Sequence, residues 1–358
     1  MRIKKATKRY EAWLGERLNL VPADITLKHS RMEEAPFPFL RATYYRWEQL
    51  WRELRTDVAK APRVLAVGDL HLENFGTWRD AEGRLIWGVN DFDEAFPMAY
   101  TNDLVRLAAS AHLAVAANQL KLATQDASKS ILTGYREGLE EGGKPFVLEE
   151  DHNWLRETVS GELRDPVHFW GKMNALPTLR GEIPKSARKA IEDLLPERGM
   201  IYRVSHRVAG LGSLGRERFV AIADWGGARV AREAKALAPS ACVWANEGKG
   251  PQKIFYETII TKAARALDPF VQLRGRWIVR RLSPHCSRVE LAALPQKHDE
   301  ERLLHAMGFE TANIHLGSRD AIKAVRRDLG KRKPDWLHDA AQEMTKALLK
   351  DWEEWRKP

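Results

Sequence analysis

The sequence predicts an α+β protein of two lobes. Three observations predict it. Apolar residues recur at helical spacing through the first 60 residues, short strand-like runs take over between residues 199 and 284, and helical spacing returns from Glu300. The segments expected are 1–60, a helical N-terminal stretch; 61–198, a helical lobe carrying the principal motif; 199–284, a small β-rich lobe; and 285–358, helices that complete the helical lobe.

Each element has its own signal. "FPFLRATYYRWEQLWRELRTDVAKA" has the period of an amphipathic helix. "PRVLAVGD" is a short apolar strand, and "RLIWGVNDF" is a second one, entered through the turn signal "DAEG". "TNDLVRLAASAHLAVAANQL" is a helix for which Thr101 or Asn102 is the expected cap. Helical character continues, with breaks at proline and glycine, to about residue 198. "MIYRVSHRVAG", "RERFVAIAD" and "ARVAREAKA" then read as three strands, joined by "LGSLG" and "WGG". A helix is expected in "PQKIFYETIITKAARAL", then a hairpin of "FVQL" and "RWIVRRL" around Arg274 and Gly275. In the last helix Trp336, Ala340, Met344, Leu348 and Trp352 form a four-residue stripe for the core.

Composition narrows the function classes. With 30% charged residues and no apolar run long enough to span a bilayer, the chain reads as soluble, and its N-terminus lacks the apolar centre of a signal peptide. Cys242 and Cys286 are too few for a disulfide framework or a cysteine metal site, so the location expected is cytoplasmic. The net charge of +9 would suit nucleic acid or an anionic ligand, but the basic residues are spread along the chain and interleaved with acids, as on solvated helix faces, so nucleic acid is not expected and charge alone decides nothing. No membrane partner is expected.

The stretch "VGDLHLENFG", residues 67–76, carries most of the chemistry. Asp69 and Asn74 stand in the D-x-x-x-x-N spacing of a kinase catalytic loop. There the aspartate orients or deprotonates the attacking hydroxyl, and the asparagine amide oxygen helps to hold magnesium. Asp91, on the following strand, is expected to bridge metal and phosphates, with Asp93 as a further metal ligand. Magnesium takes hard oxygens and few protein groups, which matches one amide and one or two carboxylates. Taken singly, each residue is as well explained as a turn former; the ordered set is not. Glu73 reads as solvated and Glu94 as ambiguous. His71 is expected to brace the loop, and His315 to be a packed residue at a helix end.

"GDLHLENFG" resembles the "GDLHxxN" loop of aminoglycoside phosphotransferases and related kinase-like enzymes. "VNDFDEA" resembles their metal-binding strand, and "TNDLVRLAAS" the helix after it, whose aspartate, here Asp103, braces the loop. More closely, the chain is similar to the bacterial DUF2252 family through "SRMEEAPFPFLRATYY", "GDLHLENFGTW", "NDFDEAFP", "NDLVRLAAS", "VAGLGSLGRERFVAI" and "EAKALAPS", from about residue 28 to 240 and more weakly to about 320. Two departures stand out. Val67 occupies the place where kinase-like enzymes often carry histidine, and the metal strand reads "DFD" where protein kinases have "DFG", as is ordinary among small-molecule kinases.

The resemblance implies a kinase-like, two-lobed fold that uses Mg2+ and ATP. Its nucleotide-holding parts are expected downstream of the catalytic loop. "AGLGSLGRERF" places Gly210, Gly212 and Gly215, with Ser213, between two strands, the arrangement of a kinase phosphate loop rather than a dinucleotide fold. Two strands later comes Lys235, expected on the α- and β-phosphates, with Glu257 as its ion-pair partner. Arg280 and Arg281 lie near the cleft or on the surface, and Arg41 reaches the cleft to neutralise an anion. Because "ERLLHAMGFETANIHLGS" resembles the helix that leads into a catalytic loop yet comes after it, the fold is expected to be circularly permuted.

The activity implied is an ATP-dependent phosphotransferase whose acceptor, a small molecule for which the positive balance suits an anion, is not legible. A nucleotide-binding pseudokinase or regulator, and AMP transfer on the same site, remain open alternatives. A metallophosphoesterase would need an upstream D-x-H and a downstream N-H-D that the sequence lacks.

Overall fold

The computed structural model describes residues 1–53, 58–149, 151–159, 165–286 and 299–357. Helices α1 (Ile3–Gly15), α2 (Pro22–Glu34), α3 (Pro36–Ala42) and α4 (Tyr44–Glu53) come first. Prolines at the first turns of α2 and α3 fix φ where no backbone donor is needed. The end of the helical run expected in this region, residues 54–57, lies outside the described residues.

Four short strands frame the principal motif: β1 (Arg63–Ala66), β2 (Phe75–Arg79), β3 (Leu85–Val89) and β4 (Phe96–Ala99). The two strands expected here, β1 and β3, do not pair with each other. β1 pairs with β4, while β2, β3 and the short β5 (Phe146–Val147) make a separate antiparallel sheet. The motif loop leaves β1 and enters β2, and Asp91 and Asp93 lie between β3 and β4.

Helix α5 (Tyr100–Ala116) is buried along most of its length. Neither Thr101 nor Asn102 caps it, contrary to expectation. Its N-cap position is Ala99, and both polar residues lie inside the first turn with other partners. Thr101 donates to the carbonyl of Val58 (2.6 Å), and Asn102 links Trp47 (2.8 Å) to Glu48 (2.7 Å). After α5 come α6 (Thr124–Glu141), β5, α7 (Asn153–Val159), α8 (Pro166–Asn174) and α9 (Lys185–Glu192). Residues 150 and 160–164 of this expected helical stretch are outside the described residues.

The β-rich segment is a five-stranded antiparallel sheet. It contains β6 (Arg203–His206), β7 (Arg218–Trp225), β8 (Ala228–Ala236) and, after α10 (Ala241–Ala245) and α11 (Tyr256–Lys262), β9 (Gln272–Arg274) and β10 (Trp277–Leu282), in the order β6-β7-β8-β10-β9. Register matters for the site. Lys235 faces Arg218 on one neighbour and Ile278 on the other, and Glu233 faces Val220 and Arg280. With side chains alternating along each strand, these two rows share one face of the sheet. The hairpin expected at Arg274 and Gly275 is β9–β10.

Helices α12 (Glu300–His315), α13 (Arg319–Leu329) and α14 (Trp336–Trp355) close the chain; residues 287–298 and 358 lie outside the described residues. The predicted stripe on α14 is inward, with Trp336, Ala340, Met344 and Leu348 buried and Trp352 partly so. α14 returns to the N-terminal helices: Arg46 of α4 pairs with Asp351 (2.6 Å), and Lys4 donates to the carbonyl of Lys357. The two ends of the chain are therefore neighbours. Among the described residues, no helix is long and apolar enough to cross a membrane.

Candidate functional site

A cavity of about 380 Å³ opens between the motif loop and the five-stranded sheet. Its walls include Asp69, His71, Asn74, Asp91, Asp93, Arg41, Gly210, Gly212 and Ser213, so residues far apart in sequence meet in one place.

The floor is set by backbone bracing. Asp103 on α5 is fully buried and accepts from the amides of Val67 (2.7 Å) and Gly68 (2.9 Å), the two residues before Asp69. His315, at the end of α12, donates to the same carboxylate (3.0 Å) and is held in turn by Tyr135 (2.8 Å). Behind the second strand a parallel device operates. Glu310 of α12 accepts from the amide of Val89 (3.2 Å), two residues before Asp91. Each acid turns a strand end into a fixed support for a site aspartate.

Asp69 itself is gripped by Arg106, whose Nε donates at 3.0 Å and whose second nitrogen also pairs with it. Arg106 is completely buried between the rings of Tyr44 and Trp47 and donates to the carbonyl of Leu40 (2.8 Å). Burial pushes the Asp69 carboxyl up to about 7, although Arg106 pulls against it. Asn74 spends its amide N–H groups on the carbonyls of Asp69 (3.0 Å) and Asp91 (3.3 Å), which leaves its amide oxygen as an acceptor.

Lys235 reaches the floor from β8. Its ammonium lies 2.6 Å from Asp93 and 3.3 Å from Asp91 and is almost wholly buried. Burial raises both carboxyls, but Lys235 with Arg280 and Arg218 holds Asp91 well below the usual range, whereas burial and the adjacent Asp91 charge push Asp93 up. Asp91 remains 37% exposed, and Asp93 Oδ1 is buried without a hydrogen-bond partner. The Asn74 amide oxygen, Asp91 and Asp93 Oδ1 thus form a set of hard oxygens with acceptor capacity to spare, which a small hard cation would satisfy. Among the described residues, no group of three His, Cys, Asp or Glu side chains has metal-site spacing, so a cation here would draw on the amide and on non-protein oxygens.

The glycine loop between β6 and β7 is pressed onto this floor. A Cβ at Gly212 would lie 2.9 Å from the carbonyl oxygen of Arg41 and 3.2 Å from Asp69 Oδ2. Gly215 has φ +94°, and a side chain there would collide with Ile25 of α2. Gly210 has φ +72°, and Ser213 accepts from Arg218 (2.6 Å) while donating to the Gly210 carbonyl (3.2 Å). Val21 donates its amide to the carbonyl of Gly215 (2.8 Å), and Leu20 bridges to Arg216, so the N-terminal helices hold the loop from outside.

Several expected residues stand elsewhere. Glu257 is exposed on α11, and the partners of Lys235 are Asp91 and Asp93 instead. Gly215 supports the loop without lining the cavity. Arg41 lines the cavity and pairs with Glu73, which is therefore not simply solvated. His71 is buried in the wall, edge-on to Phe37. Glu94 pairs with Arg216 (3.0 Å) and accepts from the Ala241 amide (2.6 Å). Arg280 faces the cleft, whereas Arg281 lies over Phe270.

Three groups escaped the sequence reading. Arg106 had a signal, as the one charged residue in "LVRLAASAHLAVAA". Glu233 is fully buried among Arg207 (2.5 Å), Arg280 (2.8 Å) and Arg218 (3.2 Å); burial opposes its ionisation, but the three guanidiniums hold its carboxyl far below the usual range. Lys28 of α2 sits in the wall, with burial lowering its ammonium to about 8.

Residues 18–166 match the DUF2252 family model. The model describes an uncharacterized protein conserved in bacteria, so the match brings no activity with it. It covers α2, the motif loop, Asp91, Asp93 and α5, and stops short of the glycine loop and Lys235. No curated protein and no solved structure matches the chain.

Proposed function

We propose that this protein is a kinase-like phosphotransferase that uses Mg-ATP to phosphorylate a small-molecule acceptor. One observation carries the reading: the glycine loop lines the same cavity as Asp69, Asn74 and Asp91, which come far earlier in the sequence, and Lys235 pairs with Asp91. Phosphoryl transfer asks for positioning and charge neutralisation more than covalent chemistry, and this set supplies both. Asp69 would orient or deprotonate the acceptor hydroxyl. Asn74, Asp91 and Asp93 would hold magnesium, which supplies charge neutralisation for the phosphates. Loop amides and Lys235 would hold the phosphates themselves.

The order of parts supports a two-lobed fold that is circularly permuted. The glycine loop joins the first two strands of a five-stranded antiparallel sheet and the lysine stands on the third, as in protein kinases. The end of α12 docks where a catalytic loop begins: Ser318 accepts from the amide of Leu65 (2.8 Å) on β1, and His315 meets Asp103. Adjacent termini make such a rearrangement tolerable.

The test is calorimetric titration of Mg-ATP into wild type, Asp91→Asn and Asp69→Asn. Wild type is expected to bind only with metal, Asp91→Asn at least tenfold more weakly, and Asp69→Asn within about twofold of wild type, since Asp69 serves the acceptor. A folded wild type that takes up no Mg-ATP ends the proposal.

A further inference from the structure

Lys28 is the anomaly of the cleft. It is 3% exposed, yet among the described residues its ammonium has no acidic partner, and its one hydrogen bond goes to the Gly212 carbonyl at 3.4 Å. The Tyr45 ring lies 5.8 Å away and stacks in turn on Tyr10. Burying an unpaired ammonium is costly unless an anion completes the site. Next to it in the wall is Arg216, 4% exposed, which reaches Glu94 through one nitrogen while its Nε and the nitrogen 3.6 Å from Asp93 have no hydrogen-bond partner. Both cations line the cavity with Asp69. Gly212 connects them to the chemistry, since its carbonyl accepts from Lys28 while a Cβ added to it would meet Asp69 Oδ2.

We propose that Lys28 and Arg216 form an anion subsite in the throat of the cleft, beside Asp69, that takes a phosphate or carboxylate group. The neighbouring arginines of that wall face an acid of their own: Arg207, Arg218 and Arg280 close on Glu233, and Arg218 also donates to Ser213. The group comes either from the terminal phosphate of a nucleotide or from an anionic acceptor. Its part in catalysis rests on the phosphotransferase reading; its affinity for an anion does not.

Inorganic phosphate is the probe, titrated into wild type, Lys28→Met and Lys28→Arg at pH 7. Wild type is expected to bind, Lys28→Met at least tenfold more weakly, and Lys28→Arg within a few-fold of wild type. Melting curves without phosphate show whether Lys28→Met is folded. Its midpoint is expected to equal or exceed that of wild type, because the variant removes a buried charge that lacks a counter-ion; a purely structural lysine would give a lower one. Phosphate binding that is absent from wild type, or equal in wild type and Lys28→Met, overturns the proposal. Repeating the titration with a non-hydrolysable Mg-ATP analogue bound identifies the source. Competition assigns the subsite to the terminal phosphate, and independent binding assigns it to the acceptor. Lys28-dependent phosphate binding in a protein that takes no Mg-ATP would uphold the subsite and end the phosphotransferase reading.

Discussion

Two buried glutamates, one in each half of the cleft, show how differently its roof and floor are built. Glu233, on the sheet, is surrounded by Arg207, Arg218 and Arg280 and is held ionised. Glu310, behind the floor, accepts from the Val89 amide and from Asn313 (2.8 Å), and burial pushes its carboxyl up to about 7. The same residue type is therefore a charged hub in the roof and a near-neutral brace under the floor. What decides is how far guanidiniums offset burial: three close on Glu233, whereas on Glu310 burial outweighs Arg265 and the two amide donors. The roof is held together by its ion cluster, whereas the brace behind the floor relies on amide donors for its geometry.

The largest effect should come from breaking the hub. Glu233→Gln leaves three guanidiniums crowded together with no carboxylate and is expected to cost about 3–5 kcal/mol in urea unfolding, the range for removing one member of a buried ion cluster. A loss below about 1 kcal/mol would mean that the arginines are solvated and the contrast with Glu310 is false.

Glu310→Gln should act through pH. A folded carboxyl at about 7, against an ordinary value of 4.5, means that the unfolded chain ionises first as pH rises. This group's contribution is therefore complete below 4.5 and is lost as pH rises through 7. Glutamine removes that dependence, so relative to wild type the variant should gain roughly 2–3 kcal/mol between pH 4.5 and pH 8. Parallel stability curves for the two proteins would show that Glu310 is ionised like Glu233. Glu257→Ala should do least, staying within about 0.5 kcal/mol of wild type as an exposed substitution does. On the proposed function, its Mg-ATP affinity should also match; a tenfold fall would place Glu257 in the cleft and redraw the roof.

The floor was legible because its chemistry is local. Asp69 and Asn74 are neighbours in sequence, Asp91 follows just past the end of β3, and Asp103 lies one turn into the adjoining helix. The roof was only half legible. Strand spacing marks β7 and β8, but nothing in the polar run "ARVAREAKA" itself shows that it carries an inward-facing ion cluster, with Glu233 and Lys235 both buried. Which arginine meets which acid depends on register between strands tens of residues apart, and no local pattern records it. Glu257 shows the same limit, since helical position alone could not tell that Lys235 would turn to the floor aspartates.

The hold of α2 on the glycine loop also sets the order in which the protein can be made. Lys28 and Gly212 are 184 residues apart, so α2 leaves the ribosome long before its resting place exists. At about 5–20 residues per second the wait is roughly 10–40 s. During that time Ile25 and the unpaired Lys28 have no cleft to enter, and the motif loop has no roof. A nascent chain of this protein can carry every acid of the floor and still have no working pocket until its last β-strands emerge.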